Sequence, residues 1–338
     1  MTIVETPVDP LVDARNWLND GLRVALATVV ETWGSAPRPV GSQLAINQKG
    51  AFSGSVSGGC IENVLVSEAL DVIDDAAPQV FEYGISDDQA QEVRLACGGT
   101  IRVYVERVSD ADMIATLIED RPVARIIDIE TGSWNLFGAN KDTDPLNNDA
   151  QAATTISRMM EEGSSGFLQV DGRDLMIVSH TLPRRLIATG AVHITQTLVP
   201  MAQAAGFETT VIDPRPAFAR PERLPGVSVV TDPVASAMKA LSPDANTAVV
   251  VLAHDPLLDD PALIAALNSP AYYIGCLGSK RTHGKRLERL RNAGFDDDAL
   301  ARLHGPIGLD IGGRSPGEIS VSILAEAIAT RYGKGTPL

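Results

Sequence analysis

Cysteine is scarce and poorly placed for cross-linking: the chain has three in 338 residues, Cys60, Cys97 and Cys276, and none forms a Cys-x-x-Cys pair. That spacing excludes a disulfide framework and a zinc knuckle, and it suits a reducing compartment, the cytoplasm. Cations are also short. Lys plus Arg number 28 against 43 Asp plus Glu, a formal net charge of −15. This balance argues against nucleic acid or an anionic membrane as partner and confines any anion site to a local cluster. No apolar run reaches membrane-spanning length, and residues 1–10 lack the apolar stretch of a signal peptide.

The length allows two domains with ample cores, and the pattern changes near residue 180. Residues 1–180 read as a mixed α+β domain. Asp9-Pro10 caps a short helix, residues 22–31 form a buried strand, and Asp171-Gly172 makes a hairpin turn between apolar runs. Residues 181–338 read as a Rossmann-like α/β domain with a largely parallel sheet. Residues 185–188 run into Gly190, a helix follows, and a second strand ends in Asp213, 23 positions after the glycine. Val192 and Thr195 stand where the dinucleotide fingerprint has its second and third glycines, so the fold signal is stronger than the nucleotide signal. Asp232-Pro233 and Asp260-Pro261 are start signals for further helices, and Ser315-Pro316-Gly317-Glu318 is a capping box.

Chemistry gathers at a few stretches. Residues 55–62 read Ser-Val-Ser-Gly-Gly-Cys-Ile-Glu, and the apolar positions Ile61, Val64, Leu65, Ala69, Leu70 and Ile73 follow at helical spacing. This predicts Cys60 in the first turn of a helix, where the dipole favours a thiolate. Gly58 and Gly59 would open backbone N–H groups to an anion. The alternative is a small residue packing a tight turn. Cys97 stands beside Gly98 and Gly99, a second such element, and two sulfurs facing one another would suit a soft metal or a transferred sulfur atom. Arg38 sits in a loop stiffened by Pro37 and Pro39, either a surface arginine or a rigidly held anion clamp. In the C-terminal half, Gly278, Ser279, Lys280 and Arg281 lie between a strand and a helix and offer a phosphate cradle, though without Walker spacing; His254, at another strand end, is a proton carrier or a strand cap.

The segments Gly34-Ser-Ala-Pro-Arg38, Ser57-Gly-Gly-Cys60-Ile-Glu62, Ala96-Cys97-Gly-Gly99, Val211-Ile-Asp213-Pro-Arg215, Ile274-Gly-Cys-Leu-Gly-Ser279 and Pro306-Ile-Gly-Leu-Asp-Ile-Gly312 together resemble the XdhC/CoxI family. These are accessory proteins of molybdenum hydroxylases such as xanthine dehydrogenase and carbon monoxide dehydrogenase. The resemblance implies a protein that is not an enzyme in the usual sense. It would bind molybdenum cofactor, support its sulfuration by a cysteine desulfurase, and insert it into a hydroxylase client. On that reading Cys60 is the first candidate for the cofactor and a molybdenum ligand. Cys97, Gly58, Gly59, Gly98 and Arg38 stand beside it, with Gly190, Asp213, Gly278, Ser279 and Lys280 as further contacts. A homodimer stays open. The rival from another class is an NAD(P)-dependent oxidoreductase built on the Rossmann-like half and Asp213, and a third reading is a scaffold that touches only proteins.

Overall fold

The computed structural model describes residues 9–34, 38–75, 77–84, 99–138 and 149–333. Residue contacts divide the chain between Leu182 and Pro183 into two units. The N-terminal unit runs α1 (Pro10–Asn19), β1 (Val24–Trp33), β2 (Gln43–Asn47), β3 (Phe52–Gly54), α2 (Glu62–Asp75), β4 (Gln79–Tyr83), β5 (Thr100–Val108), α3 (Ala111–Glu119), β6 (Val123–Asp128), β7 (Trp134–Phe137), α4 (Ala150–Glu162), β8 (Gly166–Val170) and β9 (Arg173–His180).

Five of these strands form an antiparallel sheet in the order β3-β2-β1-β5-β4. β1 is its centre, and its apolar run is continuous because both faces are covered. Ala25, Ala27 and Val29 pack under α2, while Val24 and Leu26 pack with α1 and α3. Val30, unpaired at a register shift between Val29 and Glu31, packs in a separate cluster with Tyr104, Ile127, Met176 and Val178. The other four strands form a sheet in the order β7-β6-β9-β8, covered by α4. Its β8–β9 hairpin turns at Asp171 and Gly172, both at positive φ, as their sequence predicts. Arg125 on β6 and Glu106 on β5 form a fully buried ion pair.

The C-terminal unit continues with β10 (Arg184–Thr189), α5 (His193–Ala204), β11 (Phe207–Ile212), β12 (Ser228–Val230), α6 (Val234–Leu241), β13 (Thr247–Val251), α7 (Pro256–Leu267), β14 (Tyr273–Cys276), α8 (Lys280–Asn292), α9 (Asp297–Leu300), β15 (Leu303–His304) and α10 (Pro316–Arg331). Its six strands are all parallel, in the order β12-β11-β10-β13-β14-β15. Counted within the unit this is 3-2-1-4-5-6, the doubly wound Rossmann order. Helices α6 and α7 cover one face, α5 and α10 the other.

Two helix starts differ from the sequence expectation. Asp260-Pro261 lies inside α7, which begins five residues earlier at Pro256, where the Asp255 carboxylate accepts the Leu257 N–H at 3.0 Å. The same Asp-Pro signal occurs twice, and the first one takes the cap. Helix α2 begins at Glu62, so Cys60 precedes the first turn rather than lying in it.

Candidate functional site

Glu62 explains both the late helix start and the shape of the loop before it. Its side chain folds back over residues 55–59. Oε1 accepts from Ser55 Oγ at 2.9 Å, Val56 N at 3.3 Å and Ser57 N at 2.9 Å. Oε2 accepts from Gly59 N at 2.9 Å and from Ser57 Oγ. Ser57 Oγ in turn accepts from Cys60 N at 3.1 Å and Ile61 N at 3.0 Å, and Ser55 Oγ accepts from Gly58 N at 2.9 Å. Burial would raise the Glu62 pKa, but the donations from Ser57 and Ser55 outweigh it and hold the carboxyl at about 2.

The consequence corrects one expectation and sharpens another. The N–H groups of Gly58 and Gly59, offered by the sequence to an anion, are taken up inside the loop. Glycine is still required there, because both residues hold positive φ. Cys60 sits exposed at the crest of this self-satisfied loop.

Strand register shows what else stands at this edge. Thr28 faces Gln43, Leu44 faces Gly54, Trp33 faces Thr100 and Tyr83 faces Ile101. The end of β1, the start of β2, the end of β3, the end of β4 and the start of β5 therefore all lie along one edge of the five-stranded sheet. Three connections leave from it. The β1–β2 connection bears Arg38, the β3–α2 connection bears Cys60, and the β4–β5 connection bears Cys97 and Gly98. Arg38 is exposed. Cys97 and Gly98 lie outside the described residues. Trp33, 49% exposed, ends β1 at the same edge. Just behind it, Tyr83 donates to Glu68 of α2, whose pKa burial and the neighbouring Asp71 raise to about 7.

Gly190 and Asp213 come together in the C-terminal unit, but they serve the fold. A Cβ at Gly190 would stand 2.7 Å from Ala253 N, so the glycine lets β10 pass close to the end of β13. Asp213 is fully buried and accepts four hydrogen bonds: from Ala191 N at 2.8 Å, and from Arg215 through its backbone N at 3.0 Å, Nε at 2.9 Å and Nη2 at 2.8 Å. A carboxylate has about four acceptor sites, so a ribose hydroxyl finds none open. Thr195 Oγ1 donates to Gly190 O, and Val192 packs against the apolar core. The residues that depart from the dinucleotide fingerprint are structural here, which disfavours the oxidoreductase reading.

Gly278, Ser279 and Lys280 form the turn into α8, with Ser279 Oγ accepting from Thr282 N at 3.2 Å as the helix cap. Cys276 beneath them is buried, and burial pushes its thiol up to about 11, which favours the protonated form. Among the described residues no three His, Cys, Asp or Glu side chains gather as a metal site, and no helix is long and apolar enough to cross a membrane.

Sequence reasoning missed the role of Glu62, although its residue was in view. The signal was a glutamate at a helix start three to seven residues beyond serines and glycines, a variant of the capping box.

Comparison with known proteins agrees with this architecture. Residues 186–327 match the family model for the XdhC Rossmann domain, and residues 17–84 match that for the XdhC and CoxI family. The chain is 26% identical over 93% of its length to the molybdenum cofactor insertion chaperone PaoD of Escherichia coli, covering 85% of that protein. It is likewise 26% identical over 93% of its length to a probable xanthine dehydrogenase subunit of Bacillus subtilis, covering 95% of it. A crystal structure of a xanthine dehydrogenase from Bacillus halodurans has the same fold, with a TM-score of 0.75 and 24% identity over 97% of each chain. With the two family models matched one in each unit, and together taking in more than half of its residues, the chain belongs to the XdhC and CoxI family.

Proposed function

We propose that this protein binds molybdenum cofactor and inserts it into a molybdenum hydroxylase of the xanthine dehydrogenase type. The observation that carries the reading is Cys60, an exposed thiol on a loop whose polar groups are bound to one another through Glu62 and Ser57. Such a thiol meets and leaves a soft metal without the loop refolding. The name of the Escherichia coli relative points the same way.

The residues present fit this cargo in part. Molybdenum carried on the cofactor's own dithiolene sulfurs asks the protein for one soft ligand rather than a cluster, and Cys60 supplies one. The cofactor's phosphate needs a cation. With the Gly58 and Gly59 N–H groups engaged, Arg38 at the same sheet edge takes that role in place of the backbone. Binding at an exposed edge is exchangeable, as a carrier requires, and docking of the client would assist release. The same exposure leaves the metal end open to sulfuration by a cysteine desulfurase, and we place these steps in the cytoplasm.

The test is transfer. The protein loaded with molybdenum cofactor is mixed anaerobically with an apo-hydroxylase, the two are separated, and molybdenum is measured in each. Metal moving to the client with the wild type, and not with Cys60→Ser, supports the proposal. Transfer no faster than from free cofactor, or unchanged by the substitution, contradicts it.

A further inference from the structure

The charge of α8 runs against that of the rest of the protein. It reads Lys-Arg-Thr-His-Gly-Lys-Arg-Leu-Glu-Arg-Leu-Arg-Asn, six cations and one acid, in a chain with a net charge of −15. Lys280 and Arg281 stand in its first turn, where the helix dipole disfavours cations. Arg281 and Lys285 are like charges one turn apart, a mildly repulsive spacing. Among the described residues neither has an ion-pair partner, whereas Arg289 is held by Asp260 at 2.6 and 2.8 Å.

Arg281, Lys285 and Arg289 line a cleft of about 460 Å³ beyond the carboxyl ends of β13 and β14, together with His254, Asp259 and Arg286. Arg286 is the informative residue. It is 1% exposed, and its Nη2 donates to Leu277 O at 2.8 Å while standing 3.6 Å from Asp259 Oδ2. Its Nε and Nη1 are buried without a partner, as is Asp259 Oδ1. A Cβ at Gly278 would lie 3.7 Å from Arg286 Nη1, which places the guanidinium under the first turn of α8. A buried cation with two unmade donors is costly, and an anion seated there would satisfy it. His254, at the end of β13, is held at φ 58, a strained setting for a residue other than glycine.

We infer that this cleft binds the diphosphate group of a small molecule. Three side-chain cations, Arg281, Lys285 and Arg286, converge on it, a donor set suited to more than one phosphate. In most Rossmann domains the diphosphate sits at the first strand-to-helix turn. Here that turn is closed by Asp213, and the open donors lie on α8. The inference lies wholly within residues 254–289 and does not rest on Cys60.

The test is calorimetric titration of inorganic pyrophosphate into the full chain, with a nucleoside diphosphate in parallel to tell a nucleotide site from one for the diphosphate alone. The wild type binds pyrophosphate. The double variant Arg281→Gln/Lys285→Gln binds it about tenfold more weakly or worse, as loss of charge-assisted contacts requires. The double variant Lys49→Gln/Lys239→Gln, with the same change in net charge at exposed positions elsewhere, keeps wild-type affinity. Arg286→Lys keeps the charge but not the guanidinium's Nε and Nη1 donors and also loses affinity; should it fail to fold, the Arg281→Gln/Lys285→Gln variant decides. Absence of pyrophosphate binding, or equal loss in both double variants, overturns the inference. Cys60→Ser leaves pyrophosphate binding intact, so failure here and failure of the carrier proposal are told apart.

Discussion

Replacing Glu62 by glutamine is the most direct perturbation of the loop that carries Cys60. The carboxylate accepts three hydrogen bonds on Oε1 and two on Oε2. An amide has one acceptor oxygen. Turned to keep the Oε1 partners, it sets an NH2 group against the Gly59 N–H; turned the other way, it opposes three donors. One charge-assisted bond is lost outright and the rest weaken, for a cost of about 2–3 kcal/mol. Linkage gives an independent figure. A carboxyl held at about 2 instead of the ordinary 4.5 corresponds to about 3 kcal/mol, reduced to about 2 kcal/mol because the loop borders solvent. The sign follows from the depressed folded-state value: this stability is present above pH 4.5 and is lost as the pH falls towards 2. Amide hydrogen exchange at Val56, Ser57 and Gly59 reads the opening of the loop alone. The wild type should lose protection between pH 4.5 and 2. Glu62→Gln should be less protected at neutral pH and show no such acid dependence from this residue. Equal protection at neutral pH, or the same acid slope, would show that the Glu62 carboxylate does not hold the loop.

Two further predictions concern the N-terminal unit. Glu68, raised to about 7 by burial and Asp71, contributes stability that is complete below pH 4.5 and lost as the pH rises through 7. Denaturant unfolding should find the wild type about 1 kcal/mol less stable at pH 8 than at pH 5 after solvent screening, and Glu68→Gln should abolish that difference. The buried Arg125–Glu106 pair predicts that Glu106→Leu, which strands the guanidinium, costs about 3–5 kcal/mol in unfolding free energy. A loss below 1 kcal/mol would show that Arg125 finds another partner.

Most elements were legible because their signals are local. The alternation and apolar runs of β1, β2 and β5, the Asp171-Gly172 hairpin and the capping box of α10 each depend on residues a few positions apart. The Asp-Pro pair at 260–261 misled because an equal pair stands at 255–256, and sequence alone does not rank them. The candidate site could be picked out by residue type, but its bonding could not be read. The glycines at 58 and 59 mark a special backbone, yet whether their N–H groups face a ligand or the loop itself depends on where Glu62 folds. At Asp213 the spacing suggested a dinucleotide contact, whereas the acceptor capacity is filled by Ala191 and Arg215. Of the cradle read at residues 278–281, only Arg281 lines the cleft at α8. Its deeper part, Arg286, is one arginine among several in the sequence, and only burial distinguishes it.

The proposed carrier role rests on Cys60 as the residue that holds molybdenum cofactor. Anaerobic binding of the cofactor to wild-type protein and to Cys60→Ala, followed by the cofactor's absorption and with NADH and NADPH titrated alongside, tests it most directly. The wild type should bind the cofactor, Cys60→Ala should lose it with the fold unchanged, and neither protein should bind a nicotinamide nucleotide. Cofactor binding that survives the substitution, or nicotinamide binding in its place, would contradict that role.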